Sequence, residues 1–205
     1  MANCKTILIT GANRGIGLEL LKESISKNYF VIGTFREKHK SQELLSIKST
    51  KVKSYKMDVT DEKSISKVSN SISYPIDYLI CNAGINNGYG TFLDEDHSHE
   101  SMLKVLNVNV LGCILTIRHF NKLLNANSKI ILISSVLGIQ KHIGSNATIY
   151  RASKAAVNNI MVSIAEKFKS KKITVVSYHP GWVRTDMGGP NATISAKESA
   201  SSLIK

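Results

Sequence analysis

The sequence has 205 residues, of which 42% are apolar and 20% are charged, a composition that indicates an ordinary globular protein rather than a low-complexity chain. Its formal net charge of +12 is high enough to attract nucleic acid or an acidic membrane surface. The lysines are nevertheless spread along the chain, without an arginine-rich run or interleaved aromatic residues, so we expect no nucleic-acid partner.

The cysteines and the apolar segments indicate the cellular compartment of the protein. Cys4, Cys81 and Cys113 are odd in number and far apart, so we predict free thiols in a reducing compartment and a cytoplasmic protein. The apolar run before Gly11 is too short for a secretory signal. We find no segment of about 20 apolar residues, and therefore predict no membrane partner.

Apolar runs alternate with helical patterns along the chain. Buried strands are predicted at 5–10, 30–36, 52–57, 76–82, 129–134 and 173–179, and helices at 16–26, 41–48, 60–71, 98–124, 149–169 and from 196 onward. Alternating strands and helices favour parallel pairing, and strands rich in Val and Ile are typical of a sheet covered on both faces. The predicted fold is α/β, a doubly wound parallel sheet of six strands (a Rossmann fold), in one domain over residues 1–205.

A glycine turn, TGANRGIG at 10–17, joins the first strand to the first helix. Small residues at Gly11, Gly15 and Gly17 would let the backbone approach a pyrophosphate, and the helix N-terminus would supply N–H groups and a positive dipole end. The alternative is a tight strand-to-helix turn that binds nothing. Three glycines in one turn favour dinucleotide binding.

The end of the second strand bears on the choice of cofactor. NAD-binding proteins commonly place an acid there, on the ribose hydroxyls. Here the strand ends at Arg36, and the first acid is Glu37. Arg36, together with Arg14 of the glycine turn, could pair with a 2′-phosphate, which favours NADP(H) over NAD(H). If Arg36 only faces solvent, this preference stays open.

Tyr150 and Lys154 stand four residues apart in YRASK, at the start of a predicted helix. Positions i and i+4 share one face of a helix, so the ammonium would lie near the phenol and lower its pKa. A tyrosine activated in this way can act as a general acid or base. The alternative is an exposed pair on a surface helix, and the spacing alone does not decide between them.

Six motifs together are more specific than any one of them. They are TGANRGIG at 10–17, NAG at 82–84, NVNVLG at 107–112, ISSVLG at 133–138, YRASK at 150–154 and HPGWVRTDMGG at 179–189. In kind and order they resemble the short-chain dehydrogenase/reductase family, most closely its C-factor-like branch, which includes small carbonyl reductases. The resemblance implies hydride transfer between NADP(H) and a ketone, aldehyde or quinone. The alternative is a cofactor-binding regulatory or signalling protein on the same fold, with little or no turnover.

The resemblance also implies catalytic roles. Tyr150 would be the acid/base, and Lys154 would lower its pKa and hold the nicotinamide ribose. Ser135 would hydrogen-bond the substrate oxygen, with Ser134 as the alternative because the interval to Tyr150 is longer than in many relatives. Asn109 would anchor a water that connects Lys154 to solvent.

Further residues would bind the cofactor by the same resemblance. The predicted set is Thr10, Gly11, Asn13, Arg14, Gly15, Ile16, Gly17, Arg36, Asp58, Val59, Asn82, Ala83, Gly84, Tyr150, Lys154, Pro180, Gly181, Val183 and Thr185. Structural roles remain open for some of them, because Asp58 also suits a helix N-terminus and Asn82 and Gly84 also suit a turn.

Three further expectations concern the rest of the chain. The stretch DEDHSHE at 94–100 leads into a helix, where acids are favourable, and we predict no metal site there. The apolar helix 98–124 and the helix 149–169 are expected to form a homodimer interface, as in the family. Family members usually continue into a seventh strand, so we expect 173–179 to be an exposed edge strand. We expect the chain either to be less stable than a full-length relative or to be a fragment.

Overall fold

Six parallel strands form the centre of this computed structural model, which describes residues 4–95 and 97–205. The strands are β1 (Thr6–Ile9), β2 (Phe30–Phe35), β3 (Val52–Lys56), β4 (Ile76–Cys81), β5 (Leu124–Ile133) and β6 (Thr174–Tyr178). Their order in the sheet is β3-β2-β1-β4-β5-β6, and every pairing is parallel. The predicted fold class is confirmed, including all six strands.

Helices connect these strands and cover the sheet. They are α1 (Gly15–Ser26), α2 (Gln42–Ser46), α3 (Glu62–Asn70), α4 (His99–Leu106), α5 (Gly112–Phe120), α6 (Thr148–Lys169) and α7 (Ala196–Leu203). Their bounds differ from the predicted ones mainly at the second and third helices, which are shorter. The Asp61 side chain caps α3 by accepting from the Lys63 N–H, so the helix begins two residues later than predicted.

The alternation of side chains along each strand divides the apolar residues between two cores. On β1, Ile7 and Ile9 face one side of the sheet and Leu8 faces the other. The first core packs β1 against α1, α2 and α7, and the second packs the opposite face against α3, α5 and α6. The sheet is therefore buried on both faces, which explains why its strands are apolar without alternation.

The long apolar helix is irregular in the middle. α4 and α5 are joined by a π-helical turn, Asn107–Leu111, and a 3₁₀ turn, Asn121–Leu123, follows, so that one continuous helix runs over His99–Leu123. Its 25 residues and mean hydropathy of 1.4 are sufficient to cross a membrane, which corrects the prediction that no segment is long and apolar enough. Ile117 and Phe120 are nevertheless buried against the sheet, as expected of a core helix.

Two short strands lie in the segment after β6, between the last predicted strand at 173–179 and the helix predicted from 196 onward. β7 (Val183–Arg184) pairs in parallel with β8 (Ile194–Ser195). Ser195 then begins α7 with a capping box that includes Glu198. Within the described residues β6 pairs only with β5, so it is an edge strand as predicted.

The second core depends on Phe120, which is fully buried. Replacing Phe120 with Ala should lower the free energy of unfolding by about 3–5 kcal/mol, because the lost burial is compounded by a cavity. Leu93→Ala is the matched control, since Leu93 is 79% exposed and its truncation should change stability by about 0.5 kcal/mol or less. Denaturant unfolding of both variants measures the difference, and equal losses would contradict this description of the core.

Candidate active site

A cleft of about 490 Å³ lies at the carboxyl ends of the central strands, where β1 and β4 are neighbours. In a doubly wound sheet this is where the order of successive strands reverses and where ligands bind. The predicted residues that line the cleft are Gly11, Asn13, Arg14, Gly15, Ile16, Gly17, Arg36, Asp58, Val59, Asn82, Ala83, Gly84, Tyr150, Lys154, Pro180 and Thr185. The fold therefore brings together residues that are up to 174 positions apart in the sequence.

The glycine turn has the backbone shape that requires glycine. Gly11 and Gly15 have φ values of +65° and +54°, where a side chain is strained. A Cβ at Gly17 would overlap the Gly11 carbonyl oxygen, so only glycine allows this close approach. Arg14 occupies the N-cap of α1 without a side-chain capping bond among the described residues, and the first turn of α1 contains no acid. The helix N-terminus is therefore left for an anion.

Thr10 and Asn82 connect this turn to β4. The Thr10 hydroxyl accepts from the Asn82 and Ala83 backbone N–H groups, both at 3.0 Å, and the Asn82 Nδ2 donates to the carbonyls of Thr10 (2.9 Å) and Gly11 (3.1 Å). Thr10 is 2% exposed and is not among the residues that line the cleft. Its position supports the turn rather than contacting a ligand with its side chain.

Charged residues surround the cleft next to β2. Arg36 pairs with Glu37, and Lys40 pairs with the same carboxylate at 2.8 Å. Hydrogen bonds from Lys40 and then Arg36 lower the pKa of Glu37 to about 2, so this carboxylate is ionised at neutral pH. Arg14 pairs with Asp186, and both side chains are largely exposed. Each arginine of the predicted phosphate site therefore has an acidic partner in this structure.

Asp58 shapes a turn and also lies at the cleft. Its Oδ1 accepts from the Thr60 backbone N–H at 2.9 Å and from the Thr60 hydroxyl at 2.7 Å, which shapes the turn before α3. Asp58 also lines the cleft, next to Val59. Val59 in turn packs against Gly112, where an added Cβ would lie 2.9 Å from its side chain.

Asn109 lies in the π-helical turn and is 1% exposed. Its Oδ1 accepts from the Ile85 N–H at 2.8 Å, and its Nδ2 donates to the Ile85 carbonyl at 2.9 Å and to the Ser153 hydroxyl at 3.0 Å. The side chain thereby joins the helix His99–Leu123, the segment after β4 and α6. Asn109 is not among the residues that line the cleft, although its neighbour Val108 is.

Tyr150 and Lys154 share one face of α6 as predicted, with the Lys154 Nζ 5.5 Å from the centre of the Tyr150 ring. Lys154 is 5% exposed and donates to the Ile133 carbonyl at 2.8 Å. Burial lowers its pKa. An ammonium has three donors, and the described residues accept only this one hydrogen bond from it.

The direction of the Tyr150 pKa shift is opposite to the prediction. Burial raises the pKa of Tyr150 to about 12, and the nearby phenol of Tyr89 adds to the rise, while the Ser135 hydroxyl opposes it. Lys154 does not lower it here, because its ammonium is directed to the Ile133 carbonyl and the phenol is desolvated. At neutral pH Tyr150 is therefore a protonated phenol.

The two serines of ISS differ in their contacts. The Ser134 hydroxyl donates to the Asn158 Oδ1 at 2.7 Å and is 5% exposed. The Ser135 hydroxyl accepts from the Leu137 N–H at 3.1 Å and is close enough to Tyr150 to affect its pKa. Ser135 is therefore the serine next to the tyrosine, and Ser134 has a structural partner instead.

The family follows from comparison with known proteins. The model of the short chain dehydrogenase family matches residues 5–194. The chain belongs to the short chain dehydrogenase family.

Relatives within the family agree with this assignment. An uncharacterised oxidoreductase of Schizosaccharomyces pombe is 30% identical over 98% of this chain and 89% of its own length. The C-signal protein of Myxococcus xanthus is 31% identical over 67% of this chain and 83% of its own. An NADPH-bound carbonyl reductase from chicken fatty liver has a TM-score of 0.87 and 29% identity, over 98% of this chain and 90% of that one.

Two residues of the dehydrogenase motif HPGWVRTDMGG are placed away from the cleft. Val183 is 4% exposed in β7, and Gly181 has a φ of +92° with the Ile194 side chain against it. Neither lines the cleft, whereas Pro180 and Thr185 do. Thr185 packs close to Gly15, where an added Cβ would be 3.3 Å from its methyl group.

Several residues that lie at the site are absent from the predicted set. They are Lys40, Ile85, Ile133, Ser153 and Asp186. Ser153 and Ile85 lie inside or next to recognised motifs, which was a usable signal. Asp186 also lies inside a recognised motif, HPGWVRTDMGG, but its pairing with Arg14 depends on folding. Lys40 lies in none of these motifs.

The predicted absence of a metal site concerns the stretch 94–100. Among residues 4–95 and 97–205, no three His, Cys, Asp or Glu side chains come together in a way that could hold a metal ion. Asp96, in the stretch 94–100, lies outside the described residues, so the absence of a metal stays a prediction. All three cysteines are free thiols, as predicted.

Asn109 offers a test of the site's support. Asn109→Ala should lower the free energy of unfolding by about 1–3 kcal/mol, because it leaves the buried Ile85 N–H and carbonyl without partners. Asn107→Ala is the control, since Asn107 is exposed in the same helical turn and should change little. Chemical denaturation compares them, and equal stabilities would show that Asn109 does not hold these elements together.

Proposed function

We propose that this dehydrogenase transfers a hydride between NADP(H) and a small carbonyl or alcohol substrate. The observation that carries the proposal is that Tyr150 and Lys154 line one end of a cleft whose other end is the glycine turn, with the Ser135 hydroxyl beside Tyr150. The match to the short chain dehydrogenase family and the bound NADPH of the chicken carbonyl reductase support it.

The residues of the cleft fit a dinucleotide. The uncapped N-terminus of α1 and the close approach at Gly17 suit a pyrophosphate, and Asp58 and Val59 lie where the adenine side of the cleft would be. The two remaining donors of Lys154 suit the hydroxyls of a ribose. When bound, the nicotinamide supplies the hydride.

The protein's own residues then handle the proton. The protonated phenol of Tyr150 donates to the carbonyl oxygen as negative charge develops there. The Ser135 hydroxyl, beside Tyr150, donates a second hydrogen bond to the same oxygen and fixes its position. Lys154 contributes a positive charge under the phenol, and Asn109 positions α6 through Ser153.

The preference for NADP(H) rests on three cations. Arg14, Arg36 and Lys40 line the cleft, and a 2′-phosphate placed among them would exchange their carboxylate partners for its own oxygens. Glu37 is the competing feature, because an ionised acid at this position could instead accept the ribose hydroxyls of NAD. We favour NADP(H) because the single carboxylate of Glu37 faces two cations, Arg36 and Lys40.

The regulatory or signalling function that the sequence also allows is a second proposal. The similarity to C-signal favours a cofactor-binding signalling or regulatory protein with little turnover.

A homodimer is a further proposal, supported by the exposed Leu103 and Leu111 on the helix His99–Leu123 and by Val162 on α6. A single domain and a cytoplasmic location also remain proposals, as does the absence of nucleic-acid and membrane partners.

Thermal unfolding with NADPH, NADH or neither tests the cofactor. We expect NADPH at about 100 times its Kd to add about 2.7 kcal/mol of stability, and NADH at the same concentration to add less. Arg36→Ala should weaken NADPH binding by about 10- to 100-fold through a lost charge-assisted contact, and should leave NADH unchanged. Lys38→Ala is the control, because Lys38 is exposed two residues away and does not line the cleft. A larger shift with NADH would overturn the preference.

Tyr150→Phe tests the chemistry. Carbonyl reduction should fall by about 100-fold or more while NADPH binding is kept, because only the proton donor is removed. In the unmodified protein, alcohol oxidation should rise about tenfold per pH unit from pH 8 to 10, because the phenolate that accepts the proton forms only towards a pKa of about 12. Steady-state rates measure both. A protein that binds NADPH but turns over no carbonyl would favour the regulatory alternative, and a pH profile that is flat above pH 8 would contradict the raised pKa.

A further inference from the structure

The segment 86–95, between β4 and α4, is tied to the structure on both sides of Tyr89. On one side, the Asn87 Nδ2 donates to the Ser101 hydroxyl on α4 at 3.0 Å. On the other side, the Gly90 carbonyl accepts from the Ala147 N–H at 2.7 Å, three residues before Tyr150. These two ties hold the backbone of Tyr89 next to the start of α6.

Tyr89 reaches across the cleft to a segment 98 residues away. Its hydroxyl donates to the Met187 carbonyl at 2.7 Å, while half of the residue (51%) stays exposed. Tyr89 is also close enough to Tyr150 to raise its pKa. Tyr89 is not among the residues that line the cleft itself, but its side chain lies near the catalytic phenol.

A side chamber of about 260 Å³ lies next to the hydrogen bond between the Tyr89 hydroxyl and the Met187 carbonyl. It is lined by Tyr89 and Asn86, among others, and it shares Arg14, Gly84, Ile85, Asp186 and Met187 with the main cleft. The shared wall at Gly84 is close to the catalytic lysine, since a Cβ added there would be 3.6 Å from the Lys154 Nζ. The chamber thus continues the cleft away from the carbonyl position.

The chemistry of the chamber suits an uncharged, flat substituent. Its two charged residues, Arg14 and Asp186, are of opposite sign, so their formal charges cancel. The Tyr89 ring and the Met187 side chain offer aromatic and thioether surfaces, which favour contact with another aromatic ring.

We propose that Tyr89 determines substrate specificity by stacking its ring on the aryl substituent of an aromatic aldehyde or ketone, with its hydrogen bond to the Met187 carbonyl holding the ring in place. This inference rests on the proposed carbonyl reduction and names the substrate class for the same site. Tyr89 acts on the substituent, whereas proton transfer remains with Tyr150.

A matched pair of aldehydes tests the proposal. Benzaldehyde and cyclohexanecarbaldehyde have six-membered rings of similar size, and only the first is aromatic. We expect the unmodified protein to have a higher kcat/KM for benzaldehyde. Tyr89→Leu should lower the ratio of the two kcat/KM values by about 2- to 12-fold, because the aromatic contact is lost and the apolar surface is kept.

Two further variants separate the ring from the hydrogen bond and from the loop. Tyr89→Phe should keep the ratio and raise KM for both aldehydes, because it loses only the bond to Met187. Phe92→Leu should change neither, because Phe92 is 65% exposed in the same segment and does not line the cleft or the chamber. Thermal unfolding with NADPH shows that each variant is folded and binds cofactor.

The outcomes distinguish this proposal from the proposed function. If the unmodified protein reduces both aldehydes equally well, the role of Tyr89 is wrong, whether or not the leucine variant folds. If Tyr89→Leu and Phe92→Leu change the ratio equally, the loop rather than the ring is responsible and the proposal also fails. If NADPH binds but neither aldehyde nor any other carbonyl is reduced, the proposed function itself is overturned, together with the substrate class.

Discussion

The hydrogen bonds of Asn109 are the constraint on which the catalytic part of the structure depends. One amide side chain satisfies both backbone groups of Ile85 and also bonds Ser153, so it fixes three elements relative to one another. The position of α6 under the cleft, and with it the positions of Tyr150 and Lys154, follows from this link. Because these groups are buried, each unpaired one would cost free energy, which makes the arrangement specific.

The cofactor side of the cleft is organised by the parallel sheet. Since β1 and β4 are neighbours, the residues that follow them meet, and Asn82 can bond the carbonyls of Thr10 and Gly11. The same pairing keeps the glycine turn open at the N-terminus of α1. Rigid strands thus support one end of the cleft, whereas the other end is built from a side-chain network on helices. The two ends meet at Lys154, whose ammonium bonds the end of β5.

Local patterns were sufficient to predict the strands, the glycine turn and the pairing of Tyr150 with Lys154 on one helix face. These features depend on neighbours within a few residues, so the sequence contains the information directly. The acidic partner of Arg14, the β7–β8 pairing and the contacts of Tyr89 depend on residues brought close only by folding. The direction of the Tyr150 pKa shift was missed for the same reason, since burial cannot be read from spacing.

The π-helical turn at Asn107–Leu111 limits how many residues the chain can have between α4 and α5. Each residue of an α-helix advances the direction of the side chains by about 100°, and a π turn contains one residue more than a regular turn. Removing that residue would rotate all of α5 relative to α4, and the faces carrying Ile117 and Phe120 would leave the sheet. This helix can therefore accept substitutions along its exposed face more readily than a deletion, and any aligned relative must keep the residue count of this turn.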